Sequence, residues 1–371
     1  MLRFQLVRYG LPTLSQQGVK LSITKAILLV GGEGTRLRPL TLTTPKPMLP
    51  VAGYPITAHQ IAKLAAAGIN QVMLATSYRA EVFEEWLATQ DYLDVEIKVA
   101  VEQTPLGTGG AIRNAADQLG LSAGESVIVL NGDVLSGHDL PQQISQYESS
   151  DAAGSLHLVS VPDPTAFGLV PTDEAHRVQA FLEKPKTKAE IVTDQINAGC
   201  YILSTELVNR IPTGAVASVE RDVFPAALDD GVALIGYLDN SYFLDLGTPF
   251  SYIQGSADLV QQKVKSPLIT TKTEALIHPT AKIADSAMIF GGSVIGANAI
   301  VEANTVVSGS IVFANATVSA GVQLFDSILG ANSQLAPNLA LTRVVISEHC
   351  QISAEIPPGT RVWPDLQLTT D

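Results

Sequence analysis

The chain has 371 residues, of which 46% are hydrophobic and 16% charged, with a formal net charge of −13. That length suits two domains that each bury a core, and the apolar content excludes a disordered chain. The acidic balance excludes nucleic acid and anionic membrane as partners, because both demand basic surface, yet leaves a phosphorylated ligand open wherever cations cluster locally. Cys200 and Cys350 stand far apart without a C-x-x-C or histidine-rich neighbourhood. This suits a reducing compartment and offers no zinc site. No apolar run reaches spanning length, and residues 1–22 lack the apolar core and cleavage site of a secretory leader. The expectation is a cytoplasmic protein with no membrane partner and an extension of unknown role ahead of its first strand.

The first strand, 26–30, empties into G-G-E-G-T-R-L-R-P-L-T and then P-K-P-M-L-P-V. Glycines allow backbone N–H groups to approach an anion closely, and Gly31, Gly32 and Gly34 with Thr35 would form such a cradle. Arg36, Arg38 and Lys46 follow on a segment stiffened by Pro39, Pro45, Pro47 and Pro50, and would neutralise phosphate oxygens. Glu33 is the odd member, since a carboxylate in a phosphate loop has to point outward. A Walker A loop needs Lys-Ser or Lys-Thr to close the turn, and a dinucleotide fingerprint needs a small residue where Leu37 stands. Neither loop is this one.

Apolar runs at 71–75, 97–101 and 126–130 continue the strands, and segments 56–68 and 79–89 read as helices between them. In the second helix Val82, Phe83, Trp86 and Leu87 fall at helical spacing. Strand–helix alternation predicts an α/β fold, a Rossmann-like and mainly parallel sheet with helices on both faces. Ligands of such sheets sit beyond the carboxyl ends of the strands, where the glycine loop and the N-G-D of residues 131–133 both belong.

From Ile277 the pattern changes. Apolar residues recur every six positions through Ile283, Ile289, Ile295, Val301 and Val307, then slip by one to Val312, Val318 and Leu324, again to Leu329, Leu335 and Leu341, and again to Ile346 and Ile352. Ile295, Val312, Leu329 and Ile346 are each seventeen apart, one coil of a three-sided solenoid with small residues at its corners. These are hexapeptide repeats of a parallel β-helix, similar to the left-handed kind, with each inward side chain contributing roughly 1.5–3 kcal/mol by burial. His278 and His349 are the histidines of this tail, and no long loop interrupts the coils to hold an acyl carrier. Assembly or regulation suits the tail better than acyl transfer. The expected division is an extension at 1–22, a catalytic domain at 23–260, a linker at 261–274 and the β-helix at 275–371.

The loop is not alone. L-G-T-G-G-A-I (106–112), L-N-G-D-V-L (130–135), F-G-L-V (167–170), F-L-E-K-P (181–185), I-N-A-G-C-Y-I (196–202), S-V-E-R-D-V-F-P (218–225) and Y-F-L-D-L-G-T-P (242–249) follow in order. With the loop they resemble the sugar-1-phosphate nucleotidylyltransferases over residues 24–260, and within that family they are most similar to the mannose-1-phosphate guanylyltransferases with a hexapeptide tail. The resemblance implies GTP and mannose 1-phosphate as substrates, GDP-mannose and pyrophosphate as products, and Mg²⁺ as cofactor. The attacking group is then the sugar's own phosphate oxygen, so catalysis rests on positioning and electrostatics without an activated side chain.

By the same resemblance Asp133 and Asp245 hold the metal, and Arg36 and Lys46 meet the triphosphate. Glu102, Gly107 and Thr108 lie where the family reads the base, although the glycines of 106–112 equally fit a plain strand-to-helix connection. Lys184 matches the lysine that holds the sugar phosphate, and Gly168, Glu183 and Asn197 would complete the sugar pocket. Glu220 is evenly balanced between a helix-start carboxylate and a functional group. A glucose-1-phosphate uridylyl- or thymidylyltransferase is the nearest alternative. A regulatory paralogue is another, but such a chain should have lost some of Arg36, Lys46, Asp133 or Asp245, and all four are present. A homo-oligomer, through the β-helix or the catalytic domain, is the expected assembly.

Overall fold

The computed structural model describes residues 22–91, 93–185 and 187–368. The expected N-terminal extension, residue 22 apart, lies outside the described residues. Two compact units are present: 22–32 with 60–243, and 33–59 with 244–368.

The first unit is the expected mainly parallel sheet. Strand Lys25–Leu29 lies between Gln71–Thr76 and Ser126–Asn131, parallel to both, and Glu96–Val101 extends the parallel set beyond Gln71–Thr76. The antiparallel strand Gln195–Ser204 pairs with Ser126–Asn131 and, on its other side, with Gly154–Ser160 and Gly168–Leu169. The inner strands read as unbroken apolar runs because helices such as Gly107–Leu119 and Leu140–Glu148 cover them. Glu96–Val101 alternates polar and apolar residues, as a strand at the sheet's edge does. Ile27, Met73, Val129, Tyr201 and Phe224 are among the buried residues of this core.

In the second unit the tail forms three parallel sheets of short strands. Ile277, Ile295, Val312, Leu329, Ile346 and Val362 stack in one column, and Ile283, Val301, Val318, Leu335, Ile352 and Leu368 in another. Ile289, Val307, Leu324 and Leu341 make the third. This three-sided layout of parallel strands is the one a left-handed β-helix has. The hexad reading stops at Ile352, yet another coil follows with Val362 and Leu368, displaced by sixteen residues rather than seventeen. Pro357 and Pro358 fall in that coil and lack the N–H a ladder needs, so the third face ends at Ala340–Thr342. Helix Pro249–Val260 belongs to this unit and packs on the coils so tightly that a Cβ on Gly292 would come 2.6 Å from the Ala257 Cβ.

Candidate active site

In the coil-bearing unit, three predicted residues from distant parts of the sequence converge. The Arg36 guanidinium lies 3.6 Å from Asp245 Oδ2, and Lys46 Nζ donates to Asp245 Oδ1 over 3.4 Å. Local chain chemistry sets this up. Gly34 takes a left-handed conformation (φ 59°) and opens a 3₁₀ turn, Thr35–Leu37, that carries Arg36. A Cβ on Gly34 would sit 2.9 Å from the Lys46 Cβ, so only glycine lets the lysine stem cross the loop here. Pro45 and Pro47 flank Lys46 in a second 3₁₀ turn, Lys46–Met48, fixing where that stem starts. The Lys46 side chain is 8% exposed and Arg36 66%, so the lysine is enclosed by protein while the arginine reaches solvent.

Two neighbours complete the loop. Glu33, the odd carboxylate, turns outward and pairs with Arg38 at 2.7 Å, which engages the Arg38 charge within its own loop. Arg361, from the last coil, donates from Nη1 to the Arg38 carbonyl at 2.8 Å. Gly247 was not singled out by sequence reasoning: a Cβ there would come 2.9 Å from Arg36 Cζ and 3.0 Å from Asp245 Oδ2. Its signal lay in the D-L-G-T string, where a glycine two residues after a functional carboxylate marks a close approach.

In the sheet unit, the predicted ligand edge is stitched together by backbone bonds. Val30 N–H donates to Ala75 O, Glu102 N–H to Thr76 O and Gly132 N–H to Leu29 O, each at 2.9 Å. Gly31, Gly32, Glu102 and Asp133 therefore leave neighbouring parallel strands at the same edge. Gly132 is dictated by packing, since its Cβ would lie 2.7 Å from the Leu29 carbonyl oxygen. Asp133 is half-buried just beyond it. Glu102 is buried and accepts from the Leu106 N–H at 2.8 Å, and burial pushes its carboxyl above the usual range despite that bond.

The residues expected on the sugar side sit on or beside three adjoining strands. Gly168 faces Glu183 across an antiparallel pair, Leu169 faces Ile196, and Asn197 follows. Lys184 lies one residue on, exposed, with φ 46° and its N–H donating to Phe167 O at 3.2 Å. Asn197 stands where the Gln195–Ser204 strand breaks register, in a bulge that Gly199 (φ 72°) makes possible. A Cβ on Gly199 would collide with the Asn131 side chain at 2.6 Å.

The L-G-T-G-G turn is held by residues 217–220. Ala217 N–H donates to Leu106 O at 2.9 Å, and Gly109 N–H donates to Ala217 O at 2.8 Å. The Thr108 hydroxyl donates to Glu220 Oε2 at 2.8 Å and accepts from Val219 N–H at 2.9 Å, so it is engaged within the protein. Glu220, evenly balanced in the sequence, is thereby drawn toward the predicted site residues. The helix start it adjoins is capped by Ser218, and a single π-helical turn, Val219–Val223, turns its side chain toward Thr108.

Among the described residues no helix is long and apolar enough to cross a membrane, and no group of three or more His, Cys, Asp or Glu is arranged to hold a metal ion. Cys200 and Cys350 are free and buried.

A family model described as nucleotidyl transferase matches residues 25–262, and a second, described as the GMPPB C-terminal domain, matches 271–369. The chain is 49% identical to a mannose-1-phosphate guanylyltransferase of Mycobacterium tuberculosis over 282 residues, 76% of this chain and 77% of that protein. It is 35% identical over 292 residues to mannose-1-phosphate guanylyltransferase 1 of Arabidopsis thaliana, covering 76% and 80%. Among solved structures, HddC from Yersinia pseudotuberculosis superposes with a TM-score of 0.53 at 29% identity, covering 63% of this chain and 98% of HddC.

Proposed function

The chain belongs to the nucleotidyl transferase family, and we propose that it joins a guanylyl group from GTP to mannose 1-phosphate, giving GDP-mannose and releasing pyrophosphate. The observation that carries the chemistry is the convergence of Arg36 and Lys46 on Asp245. Two cations held beside one carboxylate form a compensated cluster that an arriving triphosphate can take over, exchanging a carboxylate partner for phosphate oxygens. The enclosed Lys46 then neutralises charge at the α-phosphate as it builds, and the solvent-facing Arg36 meets the leaving pyrophosphate. The nucleophile is the sugar phosphate oxygen, so the side chains here have to position and neutralise rather than move a proton.

The donor set suits Mg²⁺, which usually takes one or two carboxylates and completes its shell with phosphates and water. Asp133 and Asp245 would hold it, and when bound it would supply charge neutralisation between the two anionic substrates. Asp245 fits that role in being one-third exposed, and its oxygens would be released to the metal once a triphosphate draws off the two cations. Lys184 would anchor the sugar phosphate, with Gly168, Glu183 and Asn197 around the sugar. Gly31, Gly32, Gly34 and Thr35 would cradle the nucleotide phosphates, and Gly107 and Thr108 would shape the base-reading turn. Glu102 supports guanine over the other bases. A carboxylate offers acceptors only, and guanine presents adjacent N1–H and N2–H donors to such a group.

The free, buried cysteines support action in the cytoplasm. Exposed Met288 and Phe290 on one coil support self-association, which molar mass by light scattering reads directly. The decisive test of specificity is pyrophosphate release from four nucleoside triphosphates against mannose, glucose and N-acetylglucosamine 1-phosphates. GTP with mannose 1-phosphate should be fastest; faster turnover of UTP or dTTP with glucose 1-phosphate would overturn the proposal.

A further inference from the structure

The Glu220 carboxylate receives three hydroxyls. Thr108 and Ser218 donate to Oε2 at 2.8 and 2.9 Å, and Tyr201 donates to Oε1 at 3.3 Å. The Tyr201 oxygen in turn accepts from Asn197 Nδ2 at 2.7 Å, and Asn197 Oδ1 accepts from Gly199 N–H at 3.0 Å. Tyr201, at the middle of the chain, is fully buried, while Thr108, Asn197 and Glu220 are half-buried.

The polarity of the chain follows from its one acceptor-only member. A carboxylate has no proton to give, so the Tyr201 hydroxyl must donate to it and must accept from whatever lies on its other side. That group has to be the amide nitrogen of Asn197, not its oxygen. The Gly199 N–H, which can only donate, demands the same orientation from the other end of the amide. What Asn197 keeps for a ligand is fixed too: one N–H and one lone pair, in a set order. The same carboxylate pins Thr108 in the turn that follows Glu102. We infer that Glu220 is a positioning residue that orients the sugar-side amide of Asn197 and the nucleotide-side turn at Thr108 from a single carboxylate, without touching either substrate.

This rests on the reading that Asn197 faces the sugar and Thr108 the nucleotide side, so the test includes those residues. Steady-state kinetics of pyrophosphate release are measured on the full chain for Glu220→Gln, Tyr201→Phe, Asn197→Ala and Thr108→Val, each with its melting temperature. Glu220→Gln replaces the obligatory acceptor with a group that can also donate, so the Tyr201 hydroxyl is no longer obliged to accept from Asn197, whose amide is then held by the Gly199 N–H alone. It should raise KM for both mannose 1-phosphate and GTP, each by about tenfold, the range expected for losing a hydrogen bond to a charged group. Tyr201→Phe cuts only the arm to Asn197 and should raise KM for mannose 1-phosphate while leaving that for GTP within twofold. Glu220→Asp, which keeps an acceptor-only group, should recover part of the loss. A structural role alone would lower the melting temperature without this split. The inference is overturned if Asn197→Ala raises the sugar-phosphate KM while Glu220→Gln and Tyr201→Phe do not. If Asn197→Ala and Thr108→Val are themselves silent, the reading of the pocket falls and the inference with it.

Discussion

The coils and the sheet unit satisfy their buried polar groups in opposite ways. In the coils the solution repeats: Ser310 N–H donates to Ser293 Oγ, Ser327 N–H to Ser310 Oγ and Val344 N–H to Ser327 Oγ, at 3.2, 3.1 and 3.0 Å. Each hydroxyl serves the residue seventeen positions on. At one corner Asn298, Asn315 and Asn332 share φ of 56–58° and pass an amide hydrogen bond from coil to coil. In the sheet unit nothing repeats. Thr108, Tyr201, Asn197 and Glu220 come from three separate segments, and the stacked pair His138–His157, 3.9 Å between ring centres, keeps one ring nitrogen of each residue buried without a partner. A solenoid has neighbours at fixed sequence distance, so local chemistry can be copied; a sheet assembled from distant strands must solve each site once.

The largest expected effect breaks the unique chemistry rather than the repeat. Lys46→Ala should cut turnover by about 10²–10³-fold, the loss typical of removing one preorganised donor at a developing charge. Its melting temperature should move little next to that of Leu335→Ala, measured on the same preparation. Leu335 is fully buried between Val318 and Ile352, and its truncation should cost roughly 2–5 kcal/mol, read as a lowered denaturant midpoint, with the guanylyl-transfer KM values unchanged in folded protein.

Acid should sharpen the contrast. Burial lowers His157 to about 4, helped by the nearby Lys63 charge and opposed by its bond to the Asp239 carbonyl. The unfolded state gains a proton near 6.5 that the folded state refuses until about 4, so stability falls as pH drops through that window. The loss amounts to roughly 3 kcal/mol, and His157→Gln should flatten the slope of stability against pH in that range. The smallest effect joins a coil to the loop: Arg361→Ala removes the exposed hydrogen bond to the Arg38 carbonyl and should raise KM for GTP about two- to fivefold. No change in that KM would show that the last coil leaves the loop's geometry alone.

The same contrast explains what the sequence disclosed. The columns of the β-helix were legible residue by residue because the period is in the chain itself, and the reading stopped at Ile352 only where Pro357 and Pro358 interrupt it. Strand–helix alternation disclosed the sheet, and the glycine loop disclosed Arg36 and Lys46. Gly247 was marked only by the D-L-G-T string, since a glycine's full demand comes from what crosses it, here Arg36, more than two hundred positions away in sequence. Glu220 was ambiguous for a related reason. A carboxylate in the first turn of a helix looks like a cap until Thr108 and Tyr201 are seen to converge on it.

The central claim is that Asp245 holds two cations in readiness for a triphosphate and, with Asp133, would hold a metal once they are taken. It is tested most directly by the Mg²⁺ dependence of pyrophosphate release from GTP and mannose 1-phosphate in the wild type and in Asp245→Asn. The account predicts a turnover reduced by at least about 10²-fold and a half-saturating Mg²⁺ concentration shifted upward. Equal turnover and an unmoved Mg²⁺ midpoint in Asp245→Asn would contradict it.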